Sequence, residues 1–215
     1  MTKVLDIYKE YKLMPSLMEH HLRVAAVAQM ICESLSTPVD KDGVVLTSLF
    51  HDMGNIIKFD LNYFPEFLQP EGLEYWQKVK DEYVEKYGNS EHIATEKIFK
   101  ELNLPEVVSK YFEYIGFLQL ERASARESIE GKICAYADQR VGPYGILSIK
   151  ERLIDGSKRY QGREDKKMSF EQFENLSKSL YETEKQIFSL SFMAPDAIND
   201  EIIQKYVLDL KNFEI

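Results

Sequence analysis

An all-α fold, a helical bundle of about eight to ten helices, is predicted by three features of the sequence. Apolar residues recur at spacings of three and four along most of the chain, no stretch sustains the period-two alternation of a sheet strand, and Pro and Gly punctuate the helical runs. Neither an internal repeat nor a low-complexity tract interrupts this pattern.

The first helix is short: Val4, Ile7, Tyr8 and Tyr11 share a face behind a cap at Thr2, and Pro15 separates it from the next. Ser16 to Glu19 has the form of a capping box, and Leu17, His20, Val24, Val27, Ile31 and Leu35 form the clearest stripe until Thr37-Pro38 stops it. From about Asp42 the run VVLTSLFHDMG reads as a largely buried helix ending near Gly54, with His51 and Asp52 in its last turn. The segment DLNYFPEFLQPEG, with its prolines and aromatics, reads as an irregular packed connection that borders a pocket. Helical runs follow from Glu74 to Tyr87, closed by Gly88; from a cap at Ser90 through Leu102; and from Pro105, as first residue, to Ile115-Gly116. Ala125, Ile129, Ile133, Ala137 and Arg140 mark a further helix stopped by Gly142-Pro143, with Asp138 close to its end. Ser148 to Glu151 matches a second capping box. The polar stretch QGREDKKMS after Tyr160 reads as a linker, and two C-terminal helices follow, one from Ser169 to about Leu190 and one after Pro195.

Composition bounds the function. At 215 residues, with 44% apolar and 29% charged residues, the chain is long enough for one sizeable core and too short for two full domains. A net charge of -9 and a pI near 5.1 disfavour a long nucleic acid as partner, because phosphate neutralisation needs a field of Lys and Arg. A small phosphorylated molecule needs only one local cationic pocket and stays admissible. Cys32 and Cys134 both lie in apolar helical patterns, which reads as reduced core residues and suits the cytoplasm. The charged N-terminus lacks the apolar stretch of a signal peptide, and no 18 apolar residues run together, so no membrane association is expected.

The chemistry is concentrated in His20, His51, Asp52 and Asp138. His20 shares the stripe of Leu17, Val24 and Ile31, whereas His21 is turned about a third of a helical circle away beside Ala25 and Ala28, where half-burial is expected. Stripe geometry therefore selects His20. With four histidines and 12 aspartates, about 0.2 His-Asp pairs arise by chance, so His51-Asp52 is weak evidence by itself; the apolar helix before it and the glycine after it add weight. Asp138 lies within an apolar helix, where an unpaired carboxylate would cost several kcal/mol and calls for positive charge beside it. Two imidazoles and two carboxylates suit one divalent transition metal ion, Mn, Fe, Co, Ni or Zn, with Mg also admitted and open positions left for water.

The ordered strings H20-HLRVAAVA, LFHDMG at 49–54 and AYAD at 135–138 resemble the HD-domain superfamily of metal-dependent phosphohydrolases over roughly residues 15–160. Val24, four residues after His20, matches the family pattern where His21 does not. The resemblance implies an all-α HD-domain helical bundle (residues 1–160) with additional C-terminal helices (161–215) packed on the core or on a partner copy. It implies His20, His51, Asp52 and Asp138 as metal ligands, and hydrolysis of a small phosphoester, often a nucleotide, through a metal-activated water.

Two departures shape the expected site. Many active members carry a His-Asp-x-Gly-Lys string, and here Asn55 follows Gly54. Lys58, Arg23 and Arg140 are the candidates to replace the missing cation, each with a solvated face as its alternative. Members with two metals place two further histidines before the final Asp; only His92 is available, so one metal is expected, and His92 is either substrate-binding or an exposed helix residue. Asp52 and Lys58 are the expected catalytic pair, with Arg23, Lys58, His92 and Arg140 around the substrate. A sensing or binding module that keeps the metal without turnover is the second reading, and an oxygen-using di-iron enzyme a smaller third. A homo-oligomer formed through the C-terminal helices is compatible with their periodicity.

Overall fold

The computed structural model describes residues 1–161 and 168–215. The protein is all-α: the described residues form eleven α-helices joined by short 3₁₀ turns, with isolated bridges in place of strands. The helices are α1 (Val4–Glu10), α2 (Pro15–Ser34), α3 (Lys41–Phe50), α4 (Leu73–Tyr87), α5 (Glu91–Glu101), α6 (Glu106–Phe112), α7 (Leu120–Ala125), α8 (Ile129–Arg140), α9 (Ile149–Gln161), α10 (Phe170–Phe188) and α11 (Asp200–Leu210).

The core is built around α2, which packs against α3, α8 and α11. Its small residues Ala25, Ala26 and Ala28 have no exposed surface and let the neighbouring helices approach from several sides. Helix α3 is buried on most of its circumference, and Leu49 and Phe50 at its end are fully buried, each contributing about 1.5–3 kcal/mol by burial. The Asp40 carboxylate caps α3 by accepting from Gly43 N–H at 3.0 Å. The Tyr8 hydroxyl donates to the Leu49 carbonyl at 2.6 Å and ties α1 to the end of α3.

Several helix boundaries differ from the sequence reading. Thr2 does not cap α1; its backbone pairs instead with Ile215, N–H to carbonyl in both directions. Pro15 opens α2 rather than preceding it, and Ser16 lies inside the helix, because proline at the first position loses no hydrogen bond and has its φ preset. Pro105 is the residue before α6, and that helix stops at Phe112. Ala125 belongs to α7, and α8 starts afresh at a Ser128 cap that accepts from Gly131 N–H at 3.1 Å. The expected caps at Ser90, Ser148 and Ser169 are present, the second as a full capping box with Glu151. The polar stretch after Tyr160 falls largely on residues 162–167, outside the described residues. Cys32 and Cys134 are buried and free.

Both C-terminal helices lie on the core, α10 against α7 and α8, and α11 against α2. Arg140 at the end of α8 anchors the segment that leads into α11, donating to the carbonyls of Pro195 and Ile198 at 3.1 Å each. No helix among the described residues is long and apolar enough to cross a membrane.

Candidate metal centre

Three helices bring the four predicted donors together. His20 projects from the first half of α2, His51 is the residue that ends α3, Asp52 follows in the turn, and Asp138 sits two residues before the end of α8. The turn at 51–54 is held tightly against α5: Gly54 N–H donates to Thr95 Oγ1 at 3.0 Å, and a Cβ at Gly54 would collide with the Glu91 carbonyl and with Ala94 Cβ. The glycine after the His-Asp pair is thus required by close packing, since its φ of -90° is open to any residue.

One donor atom from each of the four residues lies within 4.8 Å of every other. Asp138 Oδ1 is 3.3 Å from His20 Nε2 and 3.4 Å from His51 Nε2, while Asp52 Oδ2 is 3.9 Å and 3.7 Å from the same two nitrogens. Donors around one ion with bonds of about 2.1 Å are separated by about 3–4 Å, so the spacing fits a single divalent cation. His51 gives an independent test of the fit. Its Nδ1 donates to the Ser48 carbonyl at 2.8 Å, which leaves Nε2 as the nitrogen open to a cation or a proton, and among the described residues that buried Nε2 has no hydrogen-bond partner of good geometry. A buried imidazole nitrogen that faces two carboxylates is a position for a cation.

The electrostatics agree. Burial pushes His51 down, yet the Asp52 and Asp138 carboxylates and the Ser48 carbonyl carry it up to about 9. Burial likewise raises Asp138, but the two imidazoles hold its carboxyl well below the usual range. The cluster draws positive charge inward. Asp138 is oriented from behind: Gln139 Nε2 donates to Oδ2 at 2.8 Å, and Gln139 Oε1 accepts from Arg152 Nε at 3.3 Å, leaving Oδ1 to face the histidines.

The remaining predicted residues are not among the four that converge. Arg140 is 3% exposed, and its guanidinium is bound to Leu147, Pro195 and Ile198 carbonyls and to the Tyr136 hydroxyl; a substrate-binding role is replaced by that of an internal strut. Lys58 lies in the 3₁₀ turn Asn55–Lys58 with Nζ 3.7 Å from Glu91, and Asn55 is buried at the start of that turn. Arg23 pairs with Glu19 at 3.1 Å on α2. His92 stacks on Phe112 with ring centroids 4.3 Å apart and is not among the four converging residues.

His21 departs from the sequence reading. It is fully buried, whereas the His20 side chain is 20% exposed. The stripe argument ranked the two by burial in the reverse order, because α2 is enclosed on several sides and its periodicity separates inside from outside poorly. The His21 ring is wedged between Tyr8 and His51, at centroid distances of 5.4 and 5.2 Å, and among the described residues neither nitrogen has a hydrogen-bond partner. Burial, then the neighbouring His51 and His20, push it well below the usual imidazole range, so it is neutral. The Gln139–Arg152 support was also missed, because nothing in one-dimensional spacing places α9 behind α8.

Comparison with curated proteins and with solved structures finds no match. The model of the HD domain family matches residues 17–140, which span all four converging side chains. That match covers more than half of the sequence, and the chain therefore belongs to the HD domain family.

Proposed function

We propose that this protein is a metal-dependent phosphohydrolase acting on a small phosphoester, with a nucleotide as the leading substrate class. The observation that supports this most is the convergence of His20, His51, Asp52 and Asp138 within 4.8 Å around the unpartnered His51 Nε2. These four side chains would hold one divalent ion, with Mn, Fe, Co, Ni or Zn favoured by the mixed nitrogen and oxygen donors and Mg admitted. Such an ion, when bound, acidifies a coordinated water and polarises a phosphoryl oxygen. The protein's own part is to fix the donors. Ser48 sets the His51 tautomer, Gln139 orients Asp138, and close packing at Gly54 sets where Asp52 leaves α3. Arg23, a neighbour of His20 on α2, and Lys58 are the cations retained as candidates for a phosphoryl group, each after release from its present carboxylate.

A second reading, a binding or sensing module that keeps the ion without turnover, is favoured by one observation. All three cations expected to replace the missing lysine are engaged, Lys58 by Glu91, Arg23 by Glu19 and Arg140 by the core. Metal analysis of purified protein, followed by a phosphoester screen with Mn, Co and Ni, separates the two. Turnover abolished by His51→Ala supports the hydrolase; metal-replete protein inactive on every ester supports the module.

A further inference from the structure

The short connection after α8 turns the chain back on itself. Gly142 N–H donates to the Gly145 carbonyl at 2.8 Å and Leu147 N–H to the Arg140 carbonyl at 2.7 Å, so α9 starts beside the end of α8 and packs against it. A capping box then fixes the first turn of α9: Glu151 N–H donates to Ser148 Oγ at 3.2 Å, and the Ser148 hydroxyl donates to Glu151 Oε2 at 2.7 Å. Buried Ile149 anchors the same turn. Arg152 follows at once, outside the family match that ends at residue 140, and reaches back to Gln139, 13 residues earlier.

The chemistry of the groups fixes the order of the bonds. A guanidinium carries only donors, so the Gln139 atom that meets Arg152 Nε at 3.3 Å is the amide oxygen, and the amide nitrogen is left to donate to Asp138 Oδ2 at 2.8 Å. Arg152 is itself held by Asp155 on the same helix, with Nη1 3.3 Å from Oδ2. With Oδ2 engaged, Asp138 presents Oδ1 to the imidazoles, 3.3 Å from His20 Nε2 and 3.4 Å from His51 Nε2. Gln139 is 1% exposed, so water does not readily replace a lost partner of its amide. Without Arg152 nothing on this side selects the orientation of that amide. A half-turn would set its oxygen against the Asp138 carboxylate and release Oδ2.

We propose that Arg152 is a positioning residue of the metal centre: by fixing the Gln139 amide it restricts Asp138 to one ligating oxygen, and so sets the affinity of the centre for its ion. The inference rests on the metal-binding part of the function proposed above and not on turnover. Its sign separates it from simple electrostatics, because removing a cation near the centre should by charge alone tighten binding of a divalent ion. Loss of positioning weakens it. The test titrates the metal-free full chain with Co(II) by calorimetry and records the visible Co(II) band, which follows the coordination of the ion. Arg152→Met keeps the apolar stem and removes the donors, Gln139→Leu removes the amide, the double variant closes the cycle, and Lys178→Met at an exposed position on α10 is the control. Arg152→Gln and Gln139→Met replace any variant that fails to melt cooperatively without metal. In Arg152→Met the Kd for Co(II) is expected to rise about tenfold, at the low end for an outer-shell partner, with an altered band. In the Gln139→Leu background the same substitution should change Kd less than about twofold, as should the control. Unchanged or tighter binding in Arg152→Met overturns the inference, and so does a weakening that persists undiminished without Gln139. Wild type that binds no Co(II) overturns the metal centre itself and this inference with it.

Discussion

Replacing Arg140 with alanine is expected to cost about 4 kcal/mol of stability. The residue is almost fully buried, and its guanidinium donates to the Leu147 carbonyl, to the Tyr136 hydroxyl at 2.6 Å, and to the Pro195 and Ile198 carbonyls at 3.1 Å each. At about 1 kcal/mol per hydrogen bond the four acceptors account for about 4 kcal/mol, and more where water cannot reach an abandoned carbonyl. For a chain of this size that corresponds to a fall in Tm of about 8–16 °C. Urea unfolding followed by circular dichroism reads the loss in ΔG, with the slope checked for constancy. Hydrogen exchange should quicken in α11, because residues 195–198 lead directly into it. Arg140→Lys keeps the charge but not the fork of donors, and is expected to recover less than half of the loss. An alanine variant that melts within about 2 °C of wild type while its substrate affinity changes would refute this reasoning and return Arg140 to the role expected from sequence.

Other outcomes are expected on the same grounds. Mn, Co or Ni at about 100 times its Kd should add about 2.7 kcal/mol and raise Tm by about 5–11 °C; calorimetry should show this shift lost in His51→Ala and Asp138→Ala, and an unshifted wild type counts against the centre. Gly54→Ala drives a Cβ into the Glu91 carbonyl and to 2.7 Å from Ala94 Cβ, and should cost about 1–3 kcal/mol by urea denaturation; a neutral result would show that α5 yields. Burial raises the Glu101 pKa, but hydrogen bonds from Tyr87, Lys86 and Tyr11 outweigh it, so the carboxyl titrates below its ordinary 4.5 in the folded chain. Its stabilisation is whole above about pH 4.5 and is lost as pH falls through the depressed value; since the group is largely exposed, only a fraction of a kcal/mol is at stake. The stability gap between wild type and Glu101→Gln should therefore shrink on acidification, and a gap that persists unchanged would assign the effect to packing.

The separations in the chain carried most of the fold class and the identity of the donors. Helical periodicity and the caps at Ser90, Ser148 and Ser169 are local properties, decided within four residues, and they reappear in the structure where sequence placed them. Where a local rule competed with long-range packing it failed: Thr2 is taken by Ile215, and Ser16 is overtaken by the helix that Pro15 starts one residue earlier. The family pattern pointed to His20, yet the burial argument for it was inverted, because a helix surrounded on several sides has no single inner face.

Sequence alone determined that the chain forms helices, that it carries His20, His51, Asp52 and Asp138 in a recognisable order, and that its formal net charge is -9. Only the tertiary structure decided that those four side chains meet, that Arg140 turns away to hold the C-terminal segment, and that α11 packs against α2. The physical reason is range: hydrogen bonds within a turn are set by neighbours along the chain, whereas convergence across α2, α3 and α8 depends on how apolar faces far apart in sequence pack.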